Sequence, residues 1–158
     1  MVLENDEPNS QNIYIVRPAA ESDFGSIKSL IHDVQINPMG LKWQNFLIAC
    51  DLEGNLIGCG QVKIHNDGSK ELASIAVVRT WRMQGIASHI ILLLIEGNPG
   101  TLYLTCRDVM EDFYIRFGFR KIQFGEMPPY FRRIWRIAGL ITRSGLIHDT
   151  MLVMMRSS

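Results

Sequence analysis

Arg82, Gly85 and Ala87 stand in the stretch RTWRMQGIAS, between the apolar runs ASIAVV and HIILLLI. That order predicts a strand, a short turn and a helix. The first amides of a helix have no acceptor within it and point out of its end, where the helix dipole adds positive character. Such an end draws anions, phosphates above all. Gly85 removes the side chain that would hold a phosphate oxygen off. Ala87 keeps the next approach open while favouring helix, and Arg82 can add a charge-assisted hydrogen bond. The turn therefore qualifies as a pyrophosphate cradle. By itself R-x-x-G-x-A is a weak pattern, since an Arg and a Gly at such a junction more often serve a turn and a solvated surface. The nucleotide P-loop G-x-x-x-x-G-K and the dinucleotide fingerprint G-x-G-x-x-G are both absent.

Other residues with chemical potential are more scattered. Glu71 begins the strand that leads into this turn, and residues 71, 73, 75 and 77 share one face of it if no bulge intervenes. A Glu at a hairpin exit is usually just solvated. Ser74 has no neighbouring base in sequence and is expected to hydrogen-bond within the sheet. His32, His65, His89 and His148 are isolated from one another and form no metal-ligand spacing. Cys50, Cys59 and Cys106 show no C-x-x-C pattern, so they read as reduced core thiols of a cytoplasmic protein rather than a disulfide framework. Cys106 reads as buried filler, with a nucleophilic role left open.

The elements that must position these residues follow from periodicity. NIYIVRP alternates as a short strand stopped by Pro18. AAESDFGSIKSLIHDV is helical, with Ser22 as N-cap and Phe24, Ile27, Leu30, Ile31 and Val34 on one face. Residues 45 to 78 divide into three antiparallel strands at Glu53-Gly54-Asn55 and Asn66-Asp67-Gly68, both tolerant of positive φ. The helix after the quoted turn ends near Gly97-Asn98-Pro99-Gly100. TLYLTC is a buried strand. Asp108 and Glu111 form a capping box for the helix VMEDFYIRF, which Gly118 closes. FRKIQF is another strand, and the last lies near TMLVMM.

The chain is long enough, at 158 residues, for one domain with a substantial core, and 47% apolar and 20% charged residues mark it as globular. The acidic, polar residues 1–11 read as a flexible leader and 12–158 as the single folded domain. Formal net charge is zero, so no nucleic-acid partner is expected. Basic residues nonetheless gather late: from Arg116 onward eight Lys or Arg face two acids. Much of this lies in an amphipathic segment at about 128–144, with Phe131, Ile134, Ala138 and Ile141 on one side and Arg132, Arg133, Arg136 and Arg143 mostly elsewhere. It reads as a helix packed on the sheet, as a substrate-side wall, or as a docking face for an acidic partner or anionic membrane. No apolar run approaches a membrane span.

The run SIAVVRTWRMQGIASHIILLL resembles the coenzyme-binding motif of the GNAT N-acetyltransferase superfamily, in which a strand ending in valine leads to [QR]-x-x-G-x-[GA]. The matching positions are Val77, Arg82, Gly85 and Ala87. DFYIRFGFRKI resembles the family's other signature through Phe113, Tyr114, Gly118 and Phe119, and IVRPAAESDFGSI is similar to its usual first strand and helix start. The resemblance covers about residues 12 to 125. Arg79 replaces a common proline, Met83 a common glycine, and Arg107 a common asparagine; Arg107 becomes a candidate for a phosphate contact.

What the resemblance implies is an α/β GNAT-like fold: a mixed, mostly antiparallel sheet of six to seven strands, helices on both faces, splayed between the fourth and fifth strands. Acetyl-CoA would lie in that splay as co-substrate, with no metal. The backbone of Ile75, Ala76 and Val77 would bond its pantetheine arm like an added strand. The segment Arg82, Met83, Gln84, Gly85, Ile86, Ala87 and Ser88 would surround the pyrophosphate. Tyr114 matches the family position of the acid that protonates the departing thiolate, a task suited to a phenol of pKa about 10. Glu71 matches the position of the base that some members use, with a relayed water as its alternative. The implied function is transfer of acetyl to a primary amine, of a small molecule or a protein, by direct attack in a ternary complex. A non-catalytic acyl-CoA sensor or scaffold is the other reading. The acceptor is unspecified, and the sequence leaves room for a homodimer.

Overall fold

The structure, a computed structural model, describes residues 13–143 and 150–157. The expected leader and His148 lie outside the described residues. The strands and helices are β1 (Tyr14–Pro18), α1 (Phe24–Asp33), β2 (Phe46–Asp51), β3 (Leu56–Ile64), β4 (Lys70–Val77), α2 (Ile86–Glu96), β5 (Leu102–Arg107), α3 (Glu111–Ile115), β6 (Arg120–Lys121), α4 (Pro129–Arg143) and β7 (Met151–Arg156). They form one seven-stranded sheet in the order β1-β2-β3-β4-β5-β7-β6. Every pairing is antiparallel except β4 with β5. The expected mixed sheet is the observed one.

Two apolar layers sandwich the sheet. On one face Ile27, Leu30 and Ile31 of α1 meet Phe46, Ile48, Cys50, Cys59 and Ala76. On the other, Ile86, Ile90, Ile91 and Leu94 of α2 meet Ile57, Val62, Leu72, Val77, Leu102 and Leu104. Each fully buried aliphatic side chain contributes about 1.5–3 kcal/mol. The α2 layer packs so close that β3 carries glycine beneath it. A Cβ at Gly60 would stand 2.6 Å from Ile75 Cδ1 and 2.9 Å from Ile90 Cγ2.

Several local expectations need correction. Ser22 is not the N-cap before α1. A 3-10 turn at Glu21–Asp23 precedes the helix, and the Asp23 carboxylate accepts the Ala20 N–H at 2.7 Å, because a carboxylate also pairs with Arg17 there. The Asp108–Glu111 capping box does not open α3. A 3-10 turn at Asp108–Met110 intervenes, and Asp108 Oδ1 accepts the adjacent Val109 N–H instead. The predicted strand FRKIQF shrinks to Arg120–Lys121, since its segment leaves the edge of the sheet after two residues.

The condition attached to β4 also fails. Glu71 pairs with Lys63, Ala73 with Gln61 and Ala76 with Cys59, so the step from Gln61 to Cys59 on β3 spans three residues on β4. A β-bulge is present. Because strand side chains alternate, Glu71 and Ala73 share a face with Ala76, not with Ile75 and Val77. Glu71 thus faces the α1 side of the sheet, and Ile75 packs toward α2.

No helix among the described residues is long and apolar enough to cross a membrane.

Candidate functional site

β4 and β5 register at one position alone, Glu71 with Tyr103. Beyond it β4 runs on to Val77 paired only with β3, and β5 to Arg107 paired only with β7. The facing edges of two parallel strands therefore diverge with their backbone groups unmatched. An open edge of this kind is a template for an extended chain of donors and acceptors. Ile75, Ala76 and Val77 form the β4 side of that crevice. Both strands end in the same direction, and the carboxyl ends of parallel strands are where open α/β sheets receive ligands.

The bulge against β3 falls on β4 just after the strands part. Ser74 has φ of 58°, a left-handed conformation that costs a non-glycine residue about 1–2 kcal/mol. Two buried neighbours hold it: the Gln61 Nε2 donates to Ser74 Oγ at 2.9 Å, and the Cys59 thiol approaches the Ser74 carbonyl at 3.7 Å. Ser74 therefore hydrogen-bonds within the sheet, as its position suggested.

At the far end of β4 the chain turns through a 3-10 segment, Arg79–Trp81, into α2. Val78 N–H bonds the Ile57 carbonyl at 2.8 Å, and Trp81 packs onto the core. Arg82 Nε donates to the Val77 carbonyl at 3.2 Å, tying the turn back to the strand it leaves. Met83 and Gly85 both take left-handed backbone, φ 61° and 80°. The sequence motif prefers glycine at the Met83 position for this reason, and the Met83 side chain stands fully in solvent. A Cβ on Gly85 would meet nothing within 4 Å, so the space before the helix end is open. The first bond within α2 is His89 N–H to the Gly85 carbonyl. The amides of Ile86, Ala87 and Ser88 precede it and have no acceptor within the helix.

Tyr114 hangs from α3, just past the carboxyl end of β5. Its ring meets Phe113 and Phe119 edge-on, with centroids 5.1 and 6.1 Å away. Burial, and secondarily the neighbouring Cys106 thiol, push its hydroxyl up to about 12. Cys106 is itself pushed up to about 11 by burial, with Glu111 and Asp108 adding to it. Both groups hold their protons at neutral pH.

Glu71 sits at the opposite end of the crevice, where the strands part. It is 6% exposed. The His65 Nε2 lies 2.8 Å from Glu71 Oε2, and the Thr105 hydroxyl reaches Oε1 at 3.4 Å. His65 in turn stacks on Tyr130, ring centroids 3.3 Å apart and planes within 15°. Tyr130 occupies the first turn of α4, whose entry is fixed from the β3–β4 hairpin: Asp67 Oδ2 accepts the Tyr130 N–H at 2.8 Å. Burial works to raise the Asp67 carboxyl, but hydrogen bonds from Ser69 and Tyr130 outweigh it and hold the group below its usual range. A cavity of about 400 Å³ opens beside this cluster, lined by His65, Asp67, Tyr130 and Arg133 among others.

Ile75, Ala76 and Val77 and the turn into α2 thus follow one another along the β4 side of the crevice, Glu71 stands where the strands part, and Tyr114 lies past the end of β5, packed with the α2-side core. His65 was isolated in sequence and is not so in space, and Gln61, Thr105 and Tyr130 carried no sequence signal. Only the hairpin spacing between His65 and Glu71, six residues about Asp67-Gly68, hinted that the pair could meet across two strands. The basic face of α4 is partly spoken for: Arg132 Nη2 bonds the Gly125 carbonyl at 3.0 Å, and the Arg132 and Arg136 guanidinium groups lie 5.6 and 5.0 Å from the Phe124 ring.

Comparisons with known proteins agree with this geometry. Residues 42–121 match the family model described as an acetyltransferase (GNAT) domain. No curated protein matches the sequence significantly. Among solved structures, N-acetylglutamate synthase from Neisseria gonorrhoeae, complexed with coenzyme A and N-acetyl-glutamate, superposes with a TM-score of 0.72 at 18% identity, over 92% of this chain and 35% of that one. A Mycobacterium tuberculosis protein in complex with CoA gives 0.69 at 20% identity, over 91% and 99%. A GNAT-family acetyltransferase from Staphylococcus aureus Mu50 gives 0.65 at 18%, over 92% and 99%. The chain spans about a third of the length of the gonococcal synthase. At these identities the structures attest the fold, while the family model covers half of the chain. The parting of β4 from β5, the left-handed turn into α2 and that match together make this chain a member of the GNAT acetyltransferase family.

Proposed function

We propose that the protein transfers an acetyl group from acetyl-CoA to a primary amine by direct attack within a ternary complex. The observation that carries this reading is the crevice between β4 and β5, which pair at Glu71 and Tyr103 alone. The pantetheine arm lies there as a surrogate strand on the backbone of Ile75, Ala76 and Val77. Its pyrophosphate meets Arg82, Met83, Gln84, Gly85, Ile86, Ala87 and Ser88 at the start of α2, mostly through backbone amides. CoA-bound relatives of the same fold support this placement.

A lysine-like amine of pKa about 10.4 arrives protonated and must lose a proton before it attacks. Glu71 takes that proton, directly or through water, while His65 fixes the orientation of the carboxylate. The nitrogen lone pair then bonds the thioester carbon, and the C–S bond breaks with its electron pair going to sulfur. The departing sulfur receives the Tyr114 proton, and the surplus proton left on the new amide nitrogen makes good, through solvent, the one that Tyr114 gave up.

A phenol near 12 is a poor donor to a free thiolate, whose conjugate acid has a pKa of about 8.5. Burial of the site works against that mismatch. Cys106, a thiol beside Tyr114, is lifted to about 11 by the same burial. A coenzyme thiolate expelled beside Tyr114 would be lifted in the same direction by the same burial, which narrows the gap between donor and acceptor.

The test is thiol release from acetyl-CoA across amines, amino acids, polyamines and peptides. Amino acids are the first acceptors to try, given the N-acetyl-glutamate held by the gonococcal relative. Release that depends on both substrates supports the reading. Tight coenzyme binding with no release from any acceptor would replace it with an acyl-CoA sensor.

A further inference from the structure

α4 runs beside the crevice along its length. It starts at the root, where Asp67 accepts the Tyr130 N–H and the Phe131 ring lies 5.1 Å from that of Tyr103. It leads on to β7, whose first residue, Met151, pairs with Arg107 at the carboxyl end of β5. Contacts fix its two flanks. Toward β6, Trp135 lies 5.6 Å from the Phe124 ring, and Arg132 and Arg136 reach over the same ring. Toward β4, Tyr130 stacks on the His65 that holds Glu71. Phe131 points between the flanks into the core.

Residues three and four apart share a helix face, so Ile134 and Ile137 continue the Tyr130 flank for about 10 Å along the crevice. Ile134 is half-buried and Ile137 is 52% exposed. Among the described residues, neither joins the apolar cluster around Phe131. Below this flank the strands no longer pair. Thr105 shares a face of β5 with Tyr103 and reaches across the gap to Glu71 Oε1 at 3.4 Å. The isoleucines therefore border the opening that leads to Glu71. Small-molecule sites combine apolar walls with a few polar groups at the reacting point.

We propose that the acceptor is an apolar amine, aliphatic or aryl-alkyl, whose hydrocarbon part lies along the Tyr130–Ile134–Ile137 flank with its nitrogen at the Thr105–Glu71 opening. This rests on the acetyl-transfer reading and names the substrate class within it. The N–C bond forms as the C–S bond breaks, with its electron pair going to sulfur. Glu71 takes one ammonium proton, sulfur takes the Tyr114 proton, and the surplus proton on nitrogen replaces that one through solvent. Glutamate, small and charged, would gain nothing from such a wall.

The experiment has two arms. The first titrates the CoA-saturated chain with n-hexylamine and follows the isoleucine methyl signals by 13C NMR. Ile134 and Ile137 should shift, while Ile15 on β1 should not. Unmoved Ile134 and Ile137 methyls overturn the proposal. Signals that move on dilution of the protein alone would assign the flank to a second copy and overturn it too. If CoA leaves the backbone signals of Gly85 and Ala87 unmoved, the acetyl-transfer reading fails and the proposal with it. The second arm measures kcat/KM from ethylamine to n-hexylamine, expected to rise about threefold for each added methylene. Ile137→Asn should cut the hexylamine-to-ethylamine ratio at least about fivefold. Leu140→Asn is the control: Leu140 is 68% exposed and lies in the row of Arg133 and Arg136. Its ratio should match the native one. Transfer indifferent to chain length, or an equal fall in both variants, overturns the proposal and leaves acetyl transfer standing.

Discussion

His65 Nε2 lies 2.8 Å from Glu71 Oε2, and the imidazole that makes this contact is stacked on Tyr130. The carboxylate at the root of the crevice is therefore oriented by a ring that is itself clamped between a hairpin and the first turn of α4. General-base catalysis contributes about 10²–10⁴ when the base is correctly placed. Glu71→Gln keeps the shape and the hydrogen bond to His65 but cannot take a proton. It should lower kcat about 100-fold in steady-state thiol-release assays. His65→Gln should cost less, about tenfold, because the Glu71 carboxyl group remains and loses only its orientation. A Glu71→Gln enzyme as fast as the native one would shift the role of base to a water held elsewhere.

Tyr114→Phe removes the proposed proton donor and leaves the aromatic contacts with Phe113 and Phe119 in place. The expected result is a fall in kcat of about 10²–10³, with the dissociation constant for CoA within a factor of about three. Titration calorimetry with CoA, beside single-turnover transfer, separates the two effects. Unchanged turnover would leave Tyr114 as a core residue whose hydroxyl has no chemical duty.

Sequence reading succeeded where the signal is local or periodic. The hairpins at Gly54 and Gly68 follow from what single residues tolerate, and α2 ends where the run Gly97-Asn98-Pro99-Gly100 predicts. It erred where two local solutions compete: Asp23 outdid Ser22 as a cap because it also pairs with Arg17. The β4 bulge at Ser74 was invisible for a different reason. Nothing in Ser74 demands φ of 58°; the demand comes from Gln61 and Cys59 on the neighbouring strand. The His65–Glu71 pair is likewise a product of hairpin register, and Tyr130 reaches it from 59 positions beyond Glu71. Contacts of that range leave no periodic trace.

The Arg17–Asp23 pair closes the first strand onto the turn before α1, at 2.8 Å with Asp23 largely buried. The Arg17 hydrogen bond, reinforced by the Ala20 N–H, holds the Asp23 carboxyl below its usual value. A carboxyl depressed in the folded state stabilises above its unfolded pKa and loses that contribution as pH falls through the folded one. The stability tied to Asp23 should therefore be complete above about pH 5 and decline below about pH 4. Arg17 is partly exposed, so the amount is about 1 kcal/mol. Urea unfolding of the native chain and Asp23→Asn at pH 7 and pH 3 checks it: the gap between them should narrow at pH 3. A gap that stays constant or widens would mean that the carboxylate charge plays no part.

Gly85 is the position where strain and ligand space can be told apart. Its φ of 80° disfavours any side chain, and a Cβ there would project into open space. Gly85→Glu therefore combines a backbone cost of about 1–2 kcal/mol with a carboxylate aimed at the phosphate region. Gly54 offers a matched control, because it too is left-handed, at 86°, and open, in the β2–β3 hairpin. Gly54→Glu and Gly85→Glu should lower the melting temperature by similar amounts. Only Gly85→Glu should weaken CoA binding, by about 30-fold or more, since in the proposed placement two phosphates would lose their amide contacts and gain a repelling charge. Dephospho-CoA should show the same loss, because the proposed placement sets the pyrophosphate rather than the ribose phosphate against this turn. Equal CoA affinity in the two variants would remove the diphosphate from the α2 end, and with it the course of the arm along Ile75 to Val77.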